Sequence, residues 1–270
     1  MYSTVGLLKN SKLTGKLTGT HQKLDGSAYY LLVRNLTRKA FFPKMQNILH
    51  FEGTRGPDGL KRKSPGEDEP SHFFIKGQDE DLIQIILDHQ YNLREAIKKR
   101  DEIRSAFEAA WLAHAITDGL TPAHHFPLKS VAEELMTDKE FFTIFGEPIK
   151  GIMHGRTKKE TLKNNWEYWG FSGQMSHHIA FEFGCALVAA PTPIRKLVPS
   201  VDKKIFKNID LEAEFRASVD KIMSLDLYNR FTTFGWTTDV SVDVQRYLLP
   251  EIVRMIAVAW ASAIPDEVKK

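Results

Sequence analysis

Cysteine is nearly missing: Cys185 is the only one in 270 residues. That excludes an internal disulfide framework and any cysteine-rich zinc finger, and it fits a reducing compartment. No stretch approaches the roughly 18 consecutive apolar residues that a membrane-spanning helix needs. The first thirty residues, MYSTVGLLKNSKLTGKLTGTHQKLDGSAYY, are interrupted by Lys and Gly and hold no apolar core of about seven residues or more. A cytoplasmic location is expected on that ground, or a secreted one if a leader is processed away. Neither sign of charge dominates, since 37 basic and 34 acidic residues leave a formal net charge of +3. Charge alone therefore does not imply nucleic acid. Alternating Val and Ile strands are scarce, and no internal repeat or low-complexity tract is present.

What the chain has is apolar residues recurring three and four positions apart, which is the helical period. The expected fold is all-α: one domain over 1–270, a multi-helix bundle. A first helix starts near Thr20, its N-cap, and runs through QKLDGSAYYLLVRNL. A shorter one covers PKMQNILHF. Residues 79–100 and 101–120 read as two helices or one bent helix, burying LIQIILDHQYNL and FEAAWLAHAI. Further helices follow in NNWEYWG, MSHHIAFEFGCALVAA and LEAEFRASVDKIMSLDLYNRF. The last, SVDVQRYLLPEIVRMIAVAWASAI, should kink at Pro250. Between residues 53 and 77 the sequence turns rich in Gly, Pro and charge, a long loop expected to serve function.

The chemistry concentrates in HAITDGLTPAHH. Residues four apart stack on one helix face, so His114 and Asp118 can converge on one point. Pro122 turns the chain and brings His124 back beside the helix end, with His125 an alternative. HHIAFEFG repeats the device with His178 and Glu182, and the phase selects His178 over His177. A single such pair is usually a surface ion pair. Two of them inside AAWLAHAIT and SHHIAFEFGCAL carry acids where desolvation costs several kcal/mol, and coordination of a cation would offset that cost. His50, His89 and His154 have no such partner within a helix and read as ordinary histidines. Imidazole and carboxylate without thiolate suit zinc, iron or manganese, with zinc the default. Such mixtures belong to catalytic sites more than to structural ones.

These residues resemble the zinc-dependent phospholipase C and S1-P1 nuclease superfamily, whose signature H-x-x-[GT]-D-x-x-x-P-x-H is met by His114, Thr117, Asp118, Pro122 and His124. SHHIAFEFG resembles the downstream HxxxE. PSHFF resembles the family's SHF segment at His72, with Asp58 fourteen residues upstream, and GTHQKLD resembles an early histidine segment at His21. The resemblance spans residues 20–185. It implies one zinc on Asp58, His72, His114 and Asp118, with the 53–77 loop contributing, and a second on His124, His178 and Glu182. A third ion would be bridged by Asp118. In the family that ion also uses an amino-terminal tryptophan, but here no tryptophan precedes Trp111. The third position is then either absent or held by His21, Asp118 and water.

The activity implied is phosphodiester hydrolysis by zinc-activated hydroxide, with Asp118 linking the metals and Asp58 orienting or deprotonating the water. Glutamate at 182 points to the phospholipase C branch. The substrate would then be a phospholipid headgroup or small phosphodiester, with single-stranded nucleic acid as the alternative. Phe73, Phe74 and the NNWEYWG aromatics read first as core, otherwise as the lining of a substrate cleft. A metal-stabilised binding protein without turnover is the competing class. Nothing in the sequence sets an oligomeric state.

Overall fold

The structure is a computed structural model, and it describes residues 19–52, 56–57, 73–78, 80–137 and 152–270. Among these the regular structure is helical, with one isolated antiparallel bridge between Leu36 and Lys269. The helices form one bundle, as the periodicity predicts. Asp58 and His72, with most of the 53–77 loop, lie outside the described residues.

The first helix, α1 (Thr20–Val33), begins at the residue expected to cap it, one position earlier than that cap implied. Gly19 occupies the N-cap position, and its N–H donates to Gln22 Oε1 at 3.0 Å. This half of a capping box starts the helix where Thr20 was expected to do so. Next come α2 (Met45–His50) and the hairpin of α3 (Asp81–Lys98) and α4 (Glu102–Gly119). The hairpin is two helices rather than one bent one, because Arg100 takes a left-handed φ of 53° that ends α3. Asp101 then caps α4 by accepting from the Arg104 N–H at 3.0 Å. At the far end of α4, an added Cβ on Gly119 would lie 2.7 Å from both Leu82 and Phe215 side chains. Glycine there lets the helices that carry Leu82 and Phe215 close onto the end of α4.

A single 3₁₀ turn (Pro122–His125) leads to α5 (Leu128–Leu135). A second hairpin, α6 (Lys158–Trp169) and α7 (Gln174–Ala189), is followed by the one-turn α8 (Ile194–Leu197). The segment expected as one helix from Leu211 is divided into α9 (Leu211–Met223) and α10 (Leu227–Phe234), since Asp226 also adopts positive φ, 50°. After α11 (Thr238–Asp243), the expected kink at Pro250 takes the form of a π-turn (Val244–Leu248) running into α12 (Leu249–Ser262). The wider turn accommodates a proline with no N–H to donate.

The core is built around α12, which packs on α1, α4 and α9. Ile252, Val253, Met255, Ile256 and Trp260 have no solvent exposure, and Trp260 Nε1 donates to the Ala109 carbonyl at 2.8 Å. This places α1 and α4 side by side, with their polar inner faces turned toward one another.

Candidate metal centre

The site starts from α4. His114 and Asp118 sit one turn apart, and His114 Nε2 is 3.2 Å from Asp118 Oδ2. Both are buried, with 4% and 3% exposure. The other ring nitrogen, His114 Nδ1, is 2.9 Å from Glu52 Oε1, just beyond the end of α2. His21 comes in from α1, with Nδ1 3.7 Å from Glu52 and Nε2 3.6 Å from Asp118 Oδ1. Its ring centroid is 4.4 Å from that of His114. His21, Glu52 and His114 thus form one buried triad whose ligand atoms lie close enough to share a metal ion.

A second triad is formed by His124, His178 and Glu182. The turn after α4 carries His124, whose Nε2 lies 2.7 Å from Glu182 Oε1 on α7. His178 is stacked on His124 with centroids 4.9 Å apart and planes inclined by 2°. Its Nδ1–H donates to the Ala123 carbonyl at 3.2 Å, which leaves the Nε2 lone pair facing Glu182 Oε1 at 3.3 Å. In the neutral ring two lone pairs so placed repel, and either a proton on Nε2 or a cation between them relieves this. A backbone acceptor on the far nitrogen is also the usual way of fixing a metal-binding imidazole.

Asp118 links the triads, since Oδ1 is 3.9 Å from His124 Nδ1 and 3.6 Å from His21. Burial pushes the Asp118 carboxyl up, but His114 and His124 overcome it and hold the group well below the ordinary range. Glu182 follows the same pattern, with burial opposed by hydrogen bonds to His124 and His178. Burial, reinforced by His114, takes His21 down to about 4. Burial also outweighs the neighbouring acids in lowering His124. Neutral imidazoles beside ionised carboxylates are the forms in which these side chains bind metals. The donor set therefore fits a divalent cation. Cys185, buried with its thiol pushed up by desolvation, is not part of either triad.

Of the residues picked out from the sequence, His21, His114, Asp118, His124, His178 and Glu182 come together. His125 turns away: its Nε2–H donates to the Gly119 carbonyl at 2.8 Å and caps α4. His177 instead meets the Phe231 ring at 6.2 Å. His89 does find an acid, Glu108 at 2.6 Å, but on the neighbouring helix and away from the triads. Although His72 lies outside the described residues, Phe73 beside it has its ring 5.3 Å from His124 and 5.9 Å from His178. The Phe74 N–H donates to the His124 carbonyl at 3.1 Å, and its side chain is core. The core reading fails for Trp166 and Trp169, which are 70% and 41% exposed on α6, while Tyr168 between them is buried.

Sequence reasoning missed Glu52, which follows a six-residue helix and has no partner at helical spacing. It also passed over Asp25, although HQKLD carries the same four-residue spacing that marked the other two pairs. Compared with known proteins, the chain has no match among family models, curated proteins or solved structures.

Proposed function

We propose that the protein is a zinc-dependent phosphodiester hydrolase of the phospholipase C type, organised as one domain. The observation that carries this reading is Asp118, a buried carboxylate within 4 Å of imidazoles from both triads. Linked carboxylate–imidazole clusters are the arrangement used to hold neighbouring ions for displacement at phosphorus. When bound, zinc supplies Lewis acidity toward a phosphoryl oxygen and brings the ionisation of water down toward pH 7.

The residues divide the remaining work. Among the described residues His124, His178 and Glu182 supply three ligands, the pattern of a catalytic site with one open position. Asp118 holds the two halves in register. The Phe73 ring packs against the His124 and His178 rings and limits their movement. Asp58 is assigned to orienting or deprotonating the attacking water, and His72, beside Phe73, to metal binding with Asp58. Glutamate rather than aspartate at 182 supports a phospholipid headgroup or small phosphodiester as substrate ahead of single-stranded nucleic acid.

The test is hydrolysis of a chromogenic phosphodiester by the zinc-loaded protein, before and after chelation. Asp118→Asn should lower turnover by at least about 100-fold, because losing even the outer partners of metal ligands costs up to that much. Full turnover and full zinc content in Asp118→Asn would disprove the assignment. Stoichiometric zinc without turnover on any phosphodiester would favour a metal-stabilised binding protein.

A further inference from the structure

The face of α1 that presents His21 carries an acid one turn later. Asp25 is 1% exposed, and neither of its carboxylate oxygens has a hydrogen-bond partner. Glu52 Oε2 is likewise without a donor, and Glu52 is 2% exposed. An unpaired carboxylate in a dry interior is among the costliest groups a fold can bury. Elsewhere the protein neutralises buried acids with fixed cations. Glu251 meets Lys221 and Arg254, and Glu108 meets Arg104. Among the described residues, neither Asp25 nor Glu52 meets a lysine or arginine. Asp25 stands one turn after His21 on α1, so the two side chains share the buried helix face from which His21 reaches Glu52 and His114.

We infer that Asp25 is a fourth protein ligand of a divalent cation held by His21, Glu52 and His114, and that this inner ion is structural. Two imidazoles and two carboxylates make four protein ligands, and a tetrahedral ion so held has no position left for water or substrate. The outer triad, with three, keeps a position for substrate. The inference rests on the metal-centre reading above and divides the centre by role, with a closed ion beneath an open one. It assigns the deep carboxylates that the resemblance leaves unexplained. Without a cation the same pocket would gather the buried acids Asp25, Glu52 and Asp118 around two buried imidazoles.

The experiment counts ions. Zinc per chain is measured by mass spectrometry on dialysed full-length protein for the native chain, Asp25→Asn and His178→Ala, with circular dichroism to confirm folding. Asp25→Asn should hold one zinc fewer than the native protein. A competition titration should show the remaining zinc at native affinity. An unchanged count and unchanged affinities in Asp25→Asn would overturn the inference and leave Asp25 a protonated buried acid. If His178→Ala loses an ion and Asp25→Asn does not, only the inner assignment fails. If the native chain holds no zinc even after incubation with it, the metal reading fails with it. Should Asp25→Asn not fold, anomalous diffraction at the zinc edge from the native protein decides. An Asp25 oxygen at about 2.0–2.2 Å from an ion supports the assignment, and one beyond about 3 Å refutes it.

Discussion

Two buried acidic regions of this molecule are neutralised in opposite ways. Around Glu251, α9 and α12 interlock Glu214, Ser218, Lys221 and Arg254, and the Arg254 guanidinium reaches Glu251, Glu214 and Ser218 at 2.8–2.9 Å. Every charge there has a covalently attached partner. Between α1 and α4, by contrast, the described partners of Glu52 are imidazoles, and Asp25 has no hydrogen-bond partner. The first region is complete as polypeptide. On the metal-centre reading proposed above, the second is completed by a bound cation, so its stability should depend on the solution.

Chelation should therefore separate the regions most sharply. A ligand present at about 1,000 times its Kd stabilises by about 4 kcal/mol. Stripping metal should lower the melting temperature correspondingly, and scanning calorimetry with and without chelator would show it. An unaltered transition would erase the distinction. Next in size, Arg254→Met breaks the fixed network and should cost about 3 kcal/mol, the lower end for a broken buried pair, because Lys221 remains. Urea unfolding should return that cost with or without chelator. A chelator-dependent cost would mean that the two regions are coupled.

Acidification gives a smaller separation. Protons compete with metal for the imidazoles as pH falls, and the burial that takes His21 down to about 4 and lowers His124 delays that competition. For Glu251, burial raises the carboxyl, but Lys221 and Arg254 bring it below its ordinary value of 4.5. Its folded pKa is depressed, so its contribution is fully present above pH 4.5 and disappears as pH falls through the folded value. Stability curves on chelated and zinc-loaded protein should converge as the imidazoles protonate, whereas the fall in the Glu251 contribution should be the same in both. A Glu251 contribution that changes with metal would contradict the contrast. At the bottom of the scale lies the exposed Lys163–Glu167 pair, 3.6 Å apart on α6. Lys163→Ala should change stability by less than about 0.5 kcal/mol, whether or not metal is present.

The readability of these regions in the sequence differs for the same physical reason. The α class and most helices follow from local spacing, and so do His114 with Asp118 and His178 with Glu182, since one helical turn sets each pair's distance. Glu52 was invisible because its partner His114 is 62 residues away and no local period connects them. Asp25 was visible in principle, since it stands at helical spacing from His21 in a stretch read as helix. The breaks at Arg100 and Asp226 depend on single left-handed residues that are neither glycine nor asparagine, a preference too weak to read from composition. The exposed tryptophans of α6 show the converse limit: aromatic content alone does not say which face is covered.

The π-turn before α12 has a consequence for tolerance to deletion. An α-helix advances about 100° per residue, so removing one position from Val244–Leu248 would either restore regular winding or rotate everything downstream by about that angle. Either the Gln245 amide would leave Thr192, now 2.8 Å away, or the indole of Trp260 would swing off the Ala109 carbonyl. Substitutions in that turn can be absorbed side chain by side chain, whereas a change in its length sets the aim of the whole final helix.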